Sequence, residues 1–343
     1  MCVNVIDREL VEKSGAILAR RPRISVAGLG IVGEGAALRL IEEAAHYDLC
    51  AALVRDREKT RAEELDRVRV YTNPSVFLSE GPDIIVDALP CGDASRTLIE
   101  RALTQGVSVV SANKQAIFGS LAKFHRLAAD NEAALNYSAS VGGGAPMVET
   151  VRNARGHGEI KSLTAILNGT VNYILTSMSG GLSFDDAVTR AQEAGFAEPD
   201  PSADLSGDDA RAKSSILAFE AFGEEIAADA ITIEPLNEAR ANAIATDGRR
   251  WRQLARIDKQ SDGRLSARVA YECVDDDPLF SAVLGEGNAL RIVNEDGREF
   301  TCAGKGAGRA PTVRSLFADL ERIRAAGAPG GQEIPLKSAP PLS

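Results

Sequence analysis

The sequence predicts a two-part α/β chain: a doubly wound parallel sheet wrapped by helices, followed by an α+β unit. Between residues 23 and 131, four short apolar runs alternate with helical patterns, the layout of a parallel sheet with helices on both faces. A glycine-rich turn stands where the first run ends. From 253 to 302 the pattern changes to short alternating runs, with turns at Asp262-Gly263 and Asp296-Gly297, which is how hairpins read.

Taken in order, residues 5–19 read as an amphipathic helix, 23–28 (RISVAG) as a buried strand and 33–47 as the helix after the turn. Residues 49–54, 83–89 (DIIVDAL) and 107–111 are the next strands, with helices at 94–105 and 120–131. After about Asn136 the character changes. Residues 141–146 (VGGGAP) form a glycine-rich joint, 160–167 a strand, and 169–178, 183–194 and 207–222 helices. A second glycine-rich turn at 304–308 precedes a helix at 311–326 that returns to the first domain. The expected division is therefore 22–136, completed by 308–327, for a nucleotide-type domain and 137–307 for the second domain. The Pro/Gly-rich tail, 328–343, is expected to be mobile.

Composition narrows the function. The 343 residues carry 39 Lys and Arg against 49 Asp and Glu, a formal net charge of −10. Nucleic-acid and anionic-membrane binders present basic surfaces, so neither partner is expected. A hydrophobic content of 44% excludes wholesale disorder. No apolar stretch has the length of a membrane span, and the N-terminus lacks the layout of a secretion signal. The five cysteines are scattered and form no CxxC, which points to reduced thiols and a cytoplasmic location. His46, His125 and His157 stand far apart, without metal-ligand spacing. Acid/base chemistry must then fall to carboxylates or lysine.

The turn at 28–33 is GLGIVG, a GxGxxG pattern between a strand and a helix. In that setting Gly28, Gly30 and Gly33, with Ile31 and Val32 between them, bring backbone close to a pyrophosphate at a helix N-terminus. A tight turn without ligand is the plain alternative. After the second strand come Arg55, Asp56 and Arg57. An acidic residue there binds a ribose 2′-hydroxyl, whereas arginine accepts a 2′-phosphate, and the two arginines tilt the expectation toward NADP over NAD. Lys114 closes SANK (111–114) just after the 107–111 strand, at the end of the sheet that faces a ligand crevice, well placed to meet an anionic substrate or the nicotinamide of the cofactor. An exposed loop lysine reads equally well.

The segment 197–213 carries most information. Ser206 or Asp208 can cap a helix, and Asp209 and Lys213, four residues apart, share a face. A surface salt bridge of little worth is one reading. However, Asp209, Lys213 and Glu220 project on the apolar side with Ile216, while Arg211, Ser214 and Ser215 take the opposite face. Charges on a side that should be buried are costly unless they line a site.

Together GLGIVG, SANK, VGGGAP, LNGTVNYIL (167–175), AQEAGFAEPDPSADLSGDDARAK (191–213), GEGNAL (285–290) and GKGAGRAPT (304–312) resemble homoserine dehydrogenase, in order, over about 22–325. The resemblance implies a Rossmann domain plus an α+β substrate-binding and dimerisation domain, and a homodimer or higher homo-oligomer. It implies reversible hydride transfer between L-homoserine and L-aspartate 4-semialdehyde with NAD or NADP, on the way to threonine and methionine. It makes Lys213 the acid/base lysine, assisted by Asp209, and Lys114 a second functional lysine. Glu198, Asp209 and Asp204 become substrate carboxylates, with Gly195 and Thr170 beside the substrate and Gly306 against the cofactor. It implies a Na+ or K+ ion on the backbone carbonyls of Val141, Gly143 and Ala145, although Ser138 stands where the family usually has glutamate. Leu89-Pro90-Cys91-Gly92 replaces a common Gly-Gly and is expected to reshape the nicotinamide pocket. The tail is too short for a regulatory ACT domain, so none is expected.

Carboxylates such as Glu198 and Asp209 suit the ammonium of a zwitterionic substrate. Asn168-Gly169-Thr170 either holds the substrate carboxylate or caps a helix. Two further readings stay open: a dehydrogenase of the same fold acting on another small amino or hydroxy acid, and a non-catalytic dinucleotide sensor.

Overall fold

The computed structural model describes residues 20–260, 262–306 and 308–326. The expected N-terminal helix at 5–19 and the tail at 328–343 lie outside them. Helices of ten or more residues are numbered below.

The first sheet is built from β1 (Arg23–Ala27), β2 (Asp48–Leu53), β3 (Arg69–Tyr71), β4 (Ile84–Asp87), β5 (Ser108–Ser111) and β6 (Leu135–Asn136). All five pairings are parallel, in the order β3-β2-β1-β4-β5-β6. That is the order of a Rossmann fold, and its direction reverses between β1 and β4, where ligands bind. Helices α1 (Ile31–Glu42), α2 (Gly92–Thr104) and α3 (Leu121–Asp130) provide the crossovers. The central strands read as continuous apolar runs because both faces are covered: Ile24, Val26, Ile84, Ile85 and Val86 are at most 3% exposed.

Sequence reading missed β3 and the short helix Pro74–Leu78 after it, so 83–89 and 107–111 supply the fourth and fifth strands. Three residues carry too little periodicity to register. The Asn73 side chain caps the missed helix through the amides of Ser75 and Val76, with Pro74 at its first position, a signal that was legible. Helix α1 ends at Glu42 and not at 47, because Tyr47 is drawn into the core, edge-on to Phe317 and bonded to Glu321.

The second sheet comprises β7 (Ile160–Ile166), β8 (Ile231–Ile233), β9 (Trp251–Lys259), β10 (Leu265–Cys273), β11 (Gly287–Asn294) and β12 (Glu299–Lys305), in the order β12-β11-β7-β9-β10-β8. It is antiparallel except for the β8–β10 pair. Its helices are α4 (Met147–Gly156), α5 (Gly169–Ser179), α6 (Phe184–Glu193) and α7 (Asp208–Phe222). Strand β8 and the helix Glu238–Thr246 were not foreseen. The last helix, α8 (Arg309–Ala326), buries Val313, Leu316, Phe317 and Leu320 among Ile24, Val26, Ala36 and Leu40 of the first sheet and α1.

Helix α7 departs from the amphipathic reading. Ser214 and Ser215, expected on an exposed face, are 0% and 1% exposed. Their hydroxyls donate to Ala210 O and Ile226 O, so the polar groups are satisfied inside the core and α7 is buried on nearly every side.

Candidate active site

The cofactor end begins at Gly28, whose φ is +92°. A Cβ there would stand 2.5 Å from Ala88 O, and one on Gly33 would stand 1.7 Å from Gly28 O. Only glycine permits these approaches. A Cβ on Gly30 would meet nothing within 4 Å, so the start of α1 opens onto free space. Ile31 is 75% exposed there, and Val32 lines the cleft beside it, as does Gly306. A close-packed turn with open space above its amides fits a pyrophosphate.

Past the end of β2, Arg55 and Arg57 are exposed. Asp56 between them turns back, its Oδ1 accepting the Glu58 amide at 2.9 Å. Arg61 braces the loop by donating to the carbonyls of Arg57, Lys59 and Asp56.

Lys114 is aimed by a chain of bonds that starts in the core. Buried Asp87, at the end of β4, accepts from the Ser95 and Ser111 hydroxyls and the Leu89 amide. Burial pushes its carboxyl up, and these donors oppose the shift. Ser111 Oγ in turn accepts the Asn113 amide, and Asn113 Nδ2 donates to Leu89 O. Lys114 therefore enters the cleft from a fixed loop. In the unusual 89–92 segment, a Cβ on Gly92 would lie 2.9 Å from Gln115 Cβ, and Gln115 lines the cleft.

Helix α7 supplies the facing group. Its N-cap is Gly207, with φ +86°, and not Ser206 or Asp208; a Cβ on Gly207 would strike Ile233 at 2.5 Å. Ser206 and Asp208 bond each other instead. One residue into the helix, Asp209 Oδ1 lies 3.0 Å from Lys114 Nζ, and its Oδ2 lies 2.8 Å from Lys213 Nζ. Lys213 Nζ also donates to Leu167 O at 2.8 Å. Burial raises the Asp209 carboxyl, but Lys213 and Lys114 outweigh it and hold it below the usual carboxylate range. Asp209's charge in turn holds the Lys114 ammonium above its ordinary value despite burial.

Asn168 Oδ1 accepts the Val171 amide and caps α5, while its Nδ2 donates to Asp204 Oδ1 at 2.9 Å and Asp209 Oδ2 at 3.2 Å. The Asp204 carboxyl is pushed up by burial and then by Asp209's charge, with Asn168 opposing. Thr170 Oγ1 donates to Phe196 O, which ties the 191–200 loop to α5.

The cleft measures about 500 Å³ and brings together Lys114, Asn168, Glu198, Asp204, Asp209 and Lys213. Thr170 also lines it; Gly195 does not, and its neighbour Phe196 does. Glu286 and Phe196 were not foreseen on its wall, since no charge or spacing pattern in the sequence points there.

Glu220 corrects an expectation. It does not join the cleft but forms a separate buried cluster, accepting from Tyr137 OH at 2.7 Å and Arg152 Nε at 3.0 Å. The groups around the expected cation site are already engaged in part. Ser138 spends its amide and hydroxyl on Asp319. Gly143 O accepts from Ser315 Oγ, and Ala145 O accepts from the Met147 amide, which leaves each carbonyl one lone pair. Among the described residues Cys50, Cys91, Cys273 and Cys302 are free thiols, and no helix is long and apolar enough to cross a membrane.

Comparison with known proteins agrees with this architecture. The family model described as homoserine dehydrogenase matches residues 146–320, and that described as homoserine dehydrogenase, NAD binding domain, matches 28–137. An NAD(+)-dependent homoserine dehydrogenase of Pseudomonas canavaninivorans is 33% identical over 73% of this chain and 73% of its own length. A homoserine dehydrogenase crystal structure from Thiobacillus denitrificans superposes with a TM-score of 0.81 at 28% identity, over 89% of this chain and 73% of that one. A hyperthermophilic archaeal homoserine dehydrogenase in complex with NADPH gives 0.75 at 26%, over 91% and 99%. The chain belongs to the homoserine dehydrogenase family, oxidoreductases that act on a CH–OH group with a nicotinamide dinucleotide.

Proposed function

We propose that this cleft interconverts L-homoserine and L-aspartate 4-semialdehyde, with Lys213 as the acid/base group. The observation that carries the reading is the Lys114–Asp209–Lys213 triad at the join of the two sheets. A nicotinamide dinucleotide held over the Gly28–Gly33 turn would supply the hydride chemistry, accepting hydride from the alcohol carbon or returning it to the aldehyde. Lys213 removes the hydroxyl proton in one direction and supplies it in the other. An ammonium has three donors, and Leu167 O and Asp209 occupy two, which leaves one for the reacting oxygen. Asp209 is filled by both lysines, so it orients them. Glu198 and Asp204, to which no lysine is paired among the described residues, take the substrate ammonium.

The same reading assigns the turn at Gly28, Gly30 and Gly33 to the pyrophosphate and favours NADP over NAD. Arg55 and Arg57 are exposed where a 2′-phosphate is read, and Asp56 is committed to its own loop. Named relatives include an NAD(+)-dependent enzyme and one bound to NADPH, so the preference is a property of each chain. We assign residues 22–136 with 308–327 to the cofactor domain and 137–307 to the substrate domain.

The second sheet also supports a homodimer. Arg256, Glu272 and Thr164 form a hydrogen-bonded row on a face that is partly open to solvent in the single chain, with Arg256 exposed and the other two half-buried. Light scattering at micromolar concentration should give twice the chain mass.

The deciding assay follows NADPH and NADH oxidation with L-aspartate 4-semialdehyde and with related aldehydes. Rapid turnover confined to another aldehyde would move the substrate. Binding of NADPH without any turnover would favour the sensor reading.

A further inference from the structure

One side chain in the cleft bonds the acids and not the lysines. Asn168 sits at the end of β7, at the N-cap of α5, and is 2% exposed. Three partners surround its amide. Its oxygen accepts from Val171 N at 2.8 Å, and its nitrogen faces Asp204 Oδ1 at 2.9 Å and Asp209 Oδ2 at 3.2 Å. This set fixes the amide orientation. The cap needs an acceptor and the two carboxylates need donors, so the flipped amide would set its oxygen against both acids and its NH2 against an N–H.

We propose that Asn168 is a positioning residue for the reaction: its NH2 group joins Asp204 and Asp209 into one unit, holding Asp209 on the lysines and turning Asp204 to the substrate ammonium. The proposal rests on the cleft being the homoserine site.

Residue chemistry makes the position selective. Helix capping alone is met equally by serine, aspartate or asparagine. Serine has one hydrogen to give, so it cannot satisfy two acids. Aspartate has none, and would place a third carboxylate against two others in a buried cluster. Of the good N-cap residues, asparagine alone accepts once and donates twice. The link also matters across the chain. Asp204 belongs to the short helix Ser202–Leu205, and Asp209 to α7. Between them lies the Gly207 turn, so Asn168 is the cross-brace that fixes one acid against the other. The charged groups acting on Asp204 are Asp209, Lys213 and Lys114, and Glu198, Asp200 and Glu286 line the same cleft.

The experiment compares Asn168→Ser and Asn168→Asp in the full chain, reading kcat, KM for homoserine, NADPH affinity, thermal midpoint and the pH profile of kcat/KM. Both substitutions keep a cap acceptor, so NADPH affinity should stay near wild type in both; the midpoint should stay near wild type in Asn168→Ser and fall in Asn168→Asp, which adds a buried carboxylate. KM for homoserine should rise roughly tenfold in Asn168→Ser, with a smaller change in kcat, because the ammonium contact is lost before the proton step. The acid limb of kcat/KM should move to higher pH, further in Asn168→Asp. Adding Asp204→Asn should shrink the effect of Asn168→Ser on KM, since the two residues act together. A wild-type KM and pH profile in folded variants would reduce Asn168 to a helix cap and overturn the proposal. So would failure of both variants to fold, which would make the role one of stability. Failure of the wild-type enzyme to turn over homoserine would instead overturn the substrate reading.

Discussion

Asp319 on α8 binds Ser138 twice: its Oδ2 accepts the Ser138 amide at 2.7 Å and its Oδ1 the Ser138 hydroxyl at 2.8 Å. Serine here is thus part of a seam between the last helix and the end of the first sheet. Burial pushes the Asp319 carboxyl up to about 6, with Arg152 and the Ser138 bonds opposing. Its folded pKa therefore lies above the unfolded value of about 3.9. A raised group contributes its full stability below the unfolded pKa and loses it as pH rises through the folded one. The loss amounts to about 3 kcal/mol in all and about 1 kcal/mol between pH 5 and 7.5.

Asp319→Asn keeps the shape, its oxygen accepting the Ser138 amide and its NH2 donating to the Ser138 hydroxyl, but does not titrate. Its stability relative to wild type should improve on going from pH 5 to pH 7.5. Thermal midpoints at the two pH values check this, and a difference independent of pH would show that Asp319 does not titrate in that range.

Much of this architecture was legible in the sequence, and the misses share a cause. GLGIVG, SANK and the Asp209–Lys213 spacing place chemistry on local features: a strand end, a turn, one turn of helix. Those survive folding because short-range geometry sets them. Ser214, Ser215 and Glu220 were misjudged because their surroundings come from distant chain, Ile226 for one serine and Tyr137 and Arg152 for the glutamate. Asn168 was legible as a cap but not as a partner of Asp204 and Asp209, which lie 36 and 41 residues away.

Glu220 pairs with Arg152 of α4, and Tyr137 donates to it from just past the end of β6, so the far end of α7 is anchored where the chain leaves the first sheet. Glu220→Leu strands a buried guanidinium and should cost about 3–5 kcal/mol. Tyr137→Phe should cost about 1 kcal/mol. Chemical denaturation measures both, and equal small losses would mean that Arg152 is satisfied by Asp319 alone.

Arg55→Asp combined with Arg57→Ala removes the proposed partners of a 2′-phosphate and adds an acceptor for a ribose hydroxyl. The ratio of kcat/KM for NADPH over NADH should fall by roughly tenfold or more, as expected for one lost charged contact. An unchanged ratio would mean that the phosphate is read elsewhere in the 55–61 loop.

Lys213 is the sharpest test of the site. Lys213→Ala should leave NADPH affinity near wild type, because the residue projects from α7 and not from the Gly28 turn. It should lower kcat by roughly a hundred- to ten-thousand-fold, the range for a lost general acid/base. Lys213→Arg should not restore it, since guanidinium keeps its protons and cannot cycle one. Lys114→Ala should behave differently. It removes a cation from Asp209 Oδ1 but leaves the Lys213 Nζ contacts with Leu167 O and Asp209 Oδ2 in place, so kcat should fall less than in Lys213→Ala. Steady-state and single-turnover rates in the three variants separate these roles. Near-normal kcat in Lys213→Arg would reduce Lys213 to a positive anchor and send the proton through Lys114 or solvent.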